Sequence, residues 1–222
     1  MDTSGTFESQ YAGGQPSDAW QTSPPRRSAR GRAVAVVVLI ALIAGGAYVW
    51  RCYLDTYHLA TVHTGALYRD GLQSPCQFET ALRKVKPKTV VSLVDQNEEV
   101  DPAKQQFRIE KEVLADKNIR LERIPVKLGG WPTKADVEKF IQVAQDPNNQ
   151  PVIVHCAQGV RRTGMMTAAY QMKVLGYDKE RAKAEVLTFG HSERTVRDIL
   201  RFIDGYDPAT GKVPENLMDS SE

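Results

Sequence analysis

A short stretch in the last third of the chain constrains the fold more than any other feature. Residues 151–154 (PVIV) form an apolar run of strand length, and such a run is typical of a strand buried in a parallel sheet. A glycine-containing loop follows it, and apolar residues at helical spacing begin after Thr163. A buried strand that enters a helix through a short loop predicts an α/β fold, with a ligand site at the carboxyl edge of the sheet.

The neighbouring segments extend this pattern over residues 58–206. Short β-branched runs alternate there with stretches whose apolar residues recur at helical spacing. The alternation predicts a central, mostly parallel sheet flanked by helices. Predicted strands cover 66–69, as an edge strand, and 89–94, 119–125 and 151–154. Predicted helices cover 78–85, part of 102–117, the segment from Thr163 to Gly176, and three segments capped by Thr133, Asp178 and Ser192.

The loop itself, residues 155–164 (HCAQGVRRTG), has the features of a phosphate-binding nucleophile loop. Its amides and the helix start bind a tetrahedral oxyanion and favour the thiolate of Cys156, the form that attacks phosphorus. Arg162 has a planar fork that binds two phosphoryl oxygens. We expect His155 to orient the loop and the Thr163 hydroxyl to donate to the departing sulfur. The substrate-binding residues are predicted to be Ala157, Gln158, Gly159, Val160, Arg161 and Arg162.

These residues predict a phosphatase that forms a phosphocysteine intermediate, which water then hydrolyses. The chemistry requires neither a metal nor another cofactor. Two other functions are open: a phosphate-binding module with weak catalysis, and a rhodanese-like sulfurtransferase, whose loop is commonly one residue shorter and lacks the Thr-Gly pair. A cysteine that is only a small buried side chain is the simplest alternative, and the specified positions around Cys156 argue against it.

The loop resembles the His-Cys-x5-Arg-Thr signature of protein tyrosine and dual-specificity phosphatases. Residues 63–71 (HTGALYRDG) are similar to the "lyRSgqp" opening of the atypical dual-specificity branch that includes plant and fungal enzymes, and residues 146–156 resemble the approach to their loop. The resemblance covers about residues 58–206. It implies that the substrates are phosphotyrosine, phosphoserine and phosphothreonine, with inositol pyrophosphates or other phosphoanhydrides as the alternative.

The general acid of this family is harder to place. Many of these phosphatases supply an aspartic acid from the loop at 126–132 (VKLGGWP), which here contains no carboxylate. Asp136 is the first candidate for the acid, with a carboxylate that complements the helix dipole as the competing interpretation, and Asp95 is the alternative. The absence of a carboxylate from this loop favours a broader substrate set, because a phosphoanhydride leaving group needs protonation less than tyrosine does. Lys127, Lys134 and Arg161 are candidates for contact with a polyanionic substrate.

Residues 33–50 (AVAVVVLIALIAGGAYVW) form an uncharged run long enough for one transmembrane helix. Tyr48 and Trp50 would lie at the membrane interface. A buried core helix and a cleaved signal peptide are the alternatives, and the long polar stretch before the run and its aromatic end argue against a signal peptide. The predicted segments are a disordered, basic-ended tail at 1–32, the span at 33–50, a linker at 51–57, the phosphatase domain at 58–206 and a loose tail at 207–222.

The charges next to the span predict its orientation. Four arginines precede the span within residues 26–32, whereas Arg51 alone follows it closely. The positive-inside rule therefore places the N-terminus in the cytoplasm and the catalytic domain outside it. A free catalytic thiol survives more easily in a reducing compartment, which weighs against this orientation.

The overall charge and the cysteines limit other functions. The 29 basic and 27 acidic side chains balance too closely for general affinity to nucleic acid. We therefore expect the partners to be phosphorylated substrates and, through the N-terminal helix, a membrane. Cys52, Cys76 and Cys156 are too few and too irregularly spaced to predict a disulfide framework. Acylation of Cys52 and a helix-start position for Cys76 are considered, with no special role as the simpler interpretation of both.

Overall fold

The structure is a computed structural model that describes residues 29–54, 56–72, 74–189 and 192–215. It divides the chain into two units, Met1–Ala44 and Gly45–Glu222. Most of the predicted tail at 1–32 lies outside the described residues, as do residues 216–222.

The predicted span coincides with the first helix, α1 (Ala29–Val49). Helical structure from Gly31 to Cys52 is long and apolar enough to cross a membrane, with a mean hydropathy of 2.4. Its aliphatic side chains are exposed rather than packed into a core. The chain therefore has an N-terminal helix suited to hydrocarbon.

The segment after α1 differs from the predicted linker at 51–57. A π-helical turn (Trp50–Leu54) packs against the second helix, α2 (Pro75–Val85), and Cys52 and Cys76 form a disulfide with their Cα atoms 5.0 Å apart. Thr80 Oγ1 donates to Cys52 O at 2.5 Å. The expectation of two cysteines without a role was wrong, because the contact between the turn and α2 pairs them. A disulfide-bonded Cys52 also has no thiol for acylation.

Five strands form one mixed sheet in the order β1-β2-β5-β3-β4. The pair β1-β2 is antiparallel and the other three pairs are parallel, as the α/β prediction requires. The predicted edge strand at 66–69 is instead internal, because a strand missed by the sequence pattern covers its outer side. The strands are β1 (Ala60–His63), β2 (Leu67–Gly71), β3 (Thr89–Ser92), β4 (Arg120–Arg123) and β5 (Val152–Cys156).

Helices cover both faces of this sheet. Thr133 and Ser192 cap helices as predicted, and the helix expected from Thr163 begins two residues earlier, at Arg161. One short helix, α3, was not predicted. The helices after α2 are α3 (Gln96–Glu99), α4 (Gln105–Asp116), α5 (Lys134–Gln145), α6 (Arg161–Val174), α7 (Lys179–Phe189) and α8 (Glu193–Gly205).

Strand β5 lies at the centre of the sheet, between two apolar clusters. Every residue of β5 is buried, with α5, α6 and α8 packed in one apolar cluster and α2 and α4 in another. After α8 the chain continues in an ordered turn closed by a bridge between Asp207 and Lys212, so the tail expected to be loose from 207 is ordered at its start. Because β5 is central and ends at Cys156, the nucleophile loop starts from a fully buried strand of the sheet.

Candidate active site

The loop between β5 and α6 has a shape that requires glycine. Gly159 has a φ of 68°, and a Cβ there would lie 2.3 Å from Asp70 O, so no side chain fits. The Gly159 amide instead donates to Cys156 Sγ at 3.2 Å. The loop thus curls around the sulfur as an anion-binding loop does.

The C-terminal end of β2 packs against this loop. A Cβ on Gly71 would lie 2.7 Å from the backbone of Gln158, so the two backbones are in close contact. Arg69 Nη2 donates to Gly159 O at 2.7 Å, and its guanidinium lies 3.9 Å from the ring centroid of Phe189. The segment 63–71, picked out by sequence only for its resemblance, is therefore part of the site. Arg69 is a functional candidate that the sequence reasoning missed.

Cys156 is a buried free cysteine whose surroundings favour the thiolate. Burial acts to raise the pKa of the thiol, but the charge of Arg162 and hydrogen bonds from Thr163 and the Gly159 amide outweigh it, so the pKa lies below its ordinary value. The Thr163 hydroxyl is buried and has no oxygen or nitrogen partner. Donation from this hydroxyl to the departing sulfur stays a prediction.

Arg162 is held in place by a carboxylate that the sequence reasoning left aside. Its Nη1 donates to Glu98 Oε2 at 2.5 Å and its Nη2 to Glu98 Oε1 at 3.2 Å, and Nη1 also donates to the carbonyls of Leu93 and Val126. Glu98 is 4% exposed. Burial opposes the charged forms, yet this ion pair lowers the pKa of Glu98 and raises that of Arg162. The arginine is thus fixed and charged beside Cys156.

His155 is oriented by a second buried carboxylate. Its Nε2 lies 2.5 Å from Glu110 Oε1 on α4, and both side chains are almost inaccessible to solvent. Burial acts to lower the pKa of His155, but the Glu110 charge and hydrogen bond outweigh it and raise the pKa. The orienting role predicted for His155 therefore has a specific partner, 45 residues away in the chain.

Asp70, which pairs with His155 in the sheet, has a buried carboxyl. Asp70 is the register partner of His155 between β2 and β5, and its Oδ1 accepts from the Gly71 amide at 2.8 Å. Burial raises the pKa of Asp70 to about 8. The carboxyl therefore holds its proton at neutral pH.

Cys156 opens into a cavity of about 320 Å³. Two candidate acids are not among the residues that line it. The Oδ2 atom of Asp136 accepts from the amide and hydroxyl of Thr133, which caps α5. Asp95 caps α3, and its Oδ2 accepts from the Leu128 amide at 3.4 Å. The cavity is lined by Glu98, Lys104, Leu128, Gly129, Thr195 and the residues Cys156, Ala157, Gln158, Arg161 and Arg162.

The three basic residues considered for a polyanion have other contacts or lie elsewhere. The guanidinium of Arg161 is bonded to protein groups, including Asp198 Oδ2 at 3.0 Å. Lys134 Nζ donates to Thr210 O and pairs with Glu138. Lys127 is exposed and does not line the cavity. The structure thus brings together Cys156, Arg162, His155, Thr163 and the loop amides. Arg161 also lines the cavity, whereas Lys127 and Lys134 do not.

Comparison with known proteins agrees with this geometry. Residues 77–200 match the family model described as "DSP-PTPase phosphatase fused to NAD+ Kinase". The dual specificity protein phosphatase TpbA of Pseudomonas aeruginosa is 29% identical over 151 residues, which are 64% of this chain and 59% of that protein. The chain thus spans about three fifths of the length of this curated relative.

Solved structures with a similar fold include those of two phosphatases. The structure of P. aeruginosa TpbA is 26% identical with a TM-score of 0.50 and covers 66% of this chain and 84% of that one. The core catalytic domain of Siw14 from S. cerevisiae is 20% identical with a TM-score of 0.57 and covers 68% of this chain and 85% of that one, which shows a shared fold. Since the family model covers more than half of the chain, including the loop and its supporting carboxylates, the chain belongs to the dual-specificity (DSP-PTPase) phosphatase family that this model describes.

Proposed function

We propose that the protein is a membrane-anchored phosphatase that hydrolyses phosphate monoesters of tyrosine, serine and threonine through a phosphocysteine intermediate. The observation that carries the proposal is the arrangement of a low-pKa Cys156 thiol, the fixed Arg162 fork and a curled amide loop around one point. TpbA, the curated relative, is named a dual specificity protein phosphatase. The site combines three features: a cysteine thiolate, a fixed arginine guanidinium beside it, and Thr163 directly after that arginine. Neither a sulfurtransferase nor a passive phosphate-binding module requires all three.

In the first step Cys156 Sγ attacks phosphorus, and the bond from phosphorus to the ester oxygen breaks. The leaving oxygen takes a proton, and the phosphoryl group stays on sulfur while Arg162 and the loop amides bind its oxygens. In the second step water attacks phosphorus and the P–S bond breaks, which releases phosphate and the thiolate. Thr163 donates to the departing sulfur. The proton donor of the first step is proposed to be Asp95 or Asp136.

A phosphoanhydride substrate is a second candidate, favoured by one observation. The loop at 126–132 contains no carboxylate, and neither Asp95 nor Asp136 lines the cavity. A leaving group that departs as a phosphate depends less on protonation than a tyrosine does. The structurally similar Siw14 is described as a PP-IP phosphatase, which makes an inositol pyrophosphate a suitable test substrate.

The test uses the full-length protein in detergent micelles with para-nitrophenyl phosphate, phosphopeptides and an inositol pyrophosphate. We expect hydrolysis of the monoesters, with rapid labelling of Cys156 by iodoacetate, and we expect Cys156→Ser to abolish turnover on every substrate. Cys76→Ser, made together with Cys52→Ser, is the matched control that removes the two disulfide-bonded cysteines, which do not line the cavity. Equal inactivity of wild type and Cys156→Ser on all three substrates would contradict the proposal.

The same protein is proposed to have its N-terminus in the cytoplasm and its phosphatase domain outside. Two observations support this orientation: the arginines that precede the span, and the disulfide between Cys52 and Cys76. Disulfides persist in oxidising compartments and are rare in the cytosol, so the disulfide outweighs the argument from a free catalytic thiol. Cys156 is buried and unpaired in the structure.

Orientation is tested on intact cells or spheroplasts with an impermeant protease and an impermeant maleimide. We expect the protease to digest the domain from outside, and we expect Cys52 and Cys76 to react with maleimide only after reduction. Wild-type protein whose domain resists the protease until the membrane is opened, with both cysteines already reduced, would reverse the proposed orientation.

A further inference from the structure

Arg161 makes contacts that phosphate binding does not explain. Its Nη1 donates to Gly130 O and its Nη2 to Gly129 O, both at 2.7 Å, while its Nε donates to Asp198 Oδ2 at 3.0 Å. These bonds use all three nitrogen atoms of the guanidinium. One side chain therefore joins the nucleophile loop, the loop at 126–132 and helix α8.

The environment makes these bonds stronger than those of a surface pair. The side chain of Asp198 is 8% exposed and that of Arg161 is 18% exposed. Charge-assisted bonds in such partly buried positions are less screened by solvent than exposed ion pairs. The geometry also needs arginine, because a lysine ammonium cannot bridge two carbonyls and a carboxylate in one plane.

The two ends of the loop at 126–132 are held by the core, since Val126 and Pro132 are buried, Val126 O accepts from Arg162 Nη1, and Trp131 packs against Phe202. The other backbone hydrogen bonds of the loop are longer or internal. The Leu128 amide donates to Asp95 Oδ2 at 3.4 Å and the Val126 amide to Leu93 O at 3.3 Å, while the Gly130 amide closes a turn within the loop itself. Gly129 has a φ of 82°. The short bonds at the tip of the loop thus come from Arg161, and Leu128 and Gly129 form the cavity wall beside them.

We propose that the Arg161–Asp198 pair is a latch that holds the loop at 126–132 as a fixed wall of the cavity before substrate binds. Arg161 is in this view a positioning residue, and Asp198 fixes its guanidinium. Because the loop has no carboxylate, its position sets how well a substrate fits and not how the leaving group is protonated. The kinetic part of this proposal rests on the proposed phosphatase function.

The first test measures loop mobility and needs no activity. Full-length wild type, Arg161→Lys, Asp198→Ala and Asp198→Asn are treated briefly with trypsin, and cleavage after the exposed Lys127 is followed by mass spectrometry. We expect Arg161→Lys and Asp198→Ala to be cut about ten-fold faster, since local opening exposes the bond, and Asp198→Asn to lie between them and wild type. Asp204→Asn, on the same helix but paired with Lys183, is the control and should match wild type.

The second test separates binding from chemistry with para-nitrophenyl phosphate. We expect Arg161→Lys and Asp198→Ala to raise KM about five-fold while kcat stays within about two-fold, as for lost uniform binding. Unchanged cleavage after Lys127 in both variants, or a fall in kcat with constant KM, would overturn the latch. If Asp198→Ala shows no cooperative thermal unfolding, Asp198→Asn and Arg161→Lys decide the outcome.

The two proposals fail in different ways. A wild-type protein that hydrolyses no phosphate ester, but whose Lys127 site is still exposed by Arg161→Lys, contradicts the phosphatase function and keeps the latch. An active wild type with the same trypsin pattern in every variant contradicts the latch and keeps the function.

Discussion

The two walls of the cavity are fixed by different kinds of contact. The nucleophile loop lies on the buried end of β2, with Glu98 and Glu110 holding Arg162 and His155 from the protein interior. The loop at 126–132 is more exposed and depends at its tip on Arg161. The residues proposed to bind phosphate are thus held by buried side chains of the core. The loop at 126–132, proposed to face the leaving group, contributes no acid.

The largest expected effect is on the capture side. Arg162→Lys keeps a positive charge but loses the bidentate fork, so we expect kcat/KM to fall about 1,000-fold on every substrate, since transition-state oxygens lose a fixed donor pair. Steady-state kinetics with aryl phosphates checks this. The matched neighbour is Arg161→Lys, which should cost far less. Equal losses in the two variants would break the distinction between the walls.

A second, smaller effect concerns the partner of His155. Glu110→Gln removes the charge that raises the pKa of His155, so the ring is less often protonated beside the sulfur and the thiolate is less favoured. We expect kcat/KM to fall about ten-fold, with the acidic limb of its pH profile moved to higher pH. Glu112→Gln, an exposed neighbour on α4, is the control. An unshifted limb would mean that Glu110 is only structural.

On the opposite wall we expect small effects. Asp95→Asn and Asp136→Asn should each change kcat with para-nitrophenyl phosphate by less than about three-fold, because that leaving group needs little protonation. With phenyl phosphate, Asp95→Asn should cost more than Asp136→Asn, since Asp95 bonds the Leu128 amide at the cavity wall. A large loss of kcat for Asp136→Asn on both substrates would show that movement of the loop at 126–132 brings Asp136 to the substrate as an acid.

An effect of a different kind is expected on stability beneath the nucleophile loop. The folded pKa of Asp70, about 8, lies above its ordinary value of 3.8, so between these pH values folding holds a proton that the unfolded chain releases. Stability conferred by the protonated form is therefore lost as pH rises, by up to about 1.4 kcal/mol per pH unit. We expect Asp70→Asn to be more stable than wild type by an amount that grows from pH 5 to pH 8 in urea unfolding. Asp204→Asn should show no such trend.

Much of the fold follows from local patterns. The buried run before Cys156, the caps at Thr133 and Ser192 and the uncharged span are signalled by neighbouring residues, and the structure has those elements. Strand β1 was missed because four residues of alternating exposure give a weak signal, and β2 was therefore placed wrongly at the edge.

The partners of the site residues are long-range and have no local signal. Glu98 and Glu110 look like ordinary surface acids in the sequence, and only the packing of α3 and α4 brings them to Arg162 and His155. The same holds for the disulfide, since the turn after α1 reaches Cys76 through its packing on α2.

By itself the sequence determined the chemistry of the loop and the presence of an apolar helix, because both depend on residues that are adjacent in the chain. Tertiary structure alone decided which carboxylates hold Arg162 and His155, that Arg161 bonds the opposite loop, and that Cys52 and Cys76 are paired. The physical reason is that a buried charge or thiol finds its partner through the packing of whole elements, and that packing brings together residues far apart in the chain.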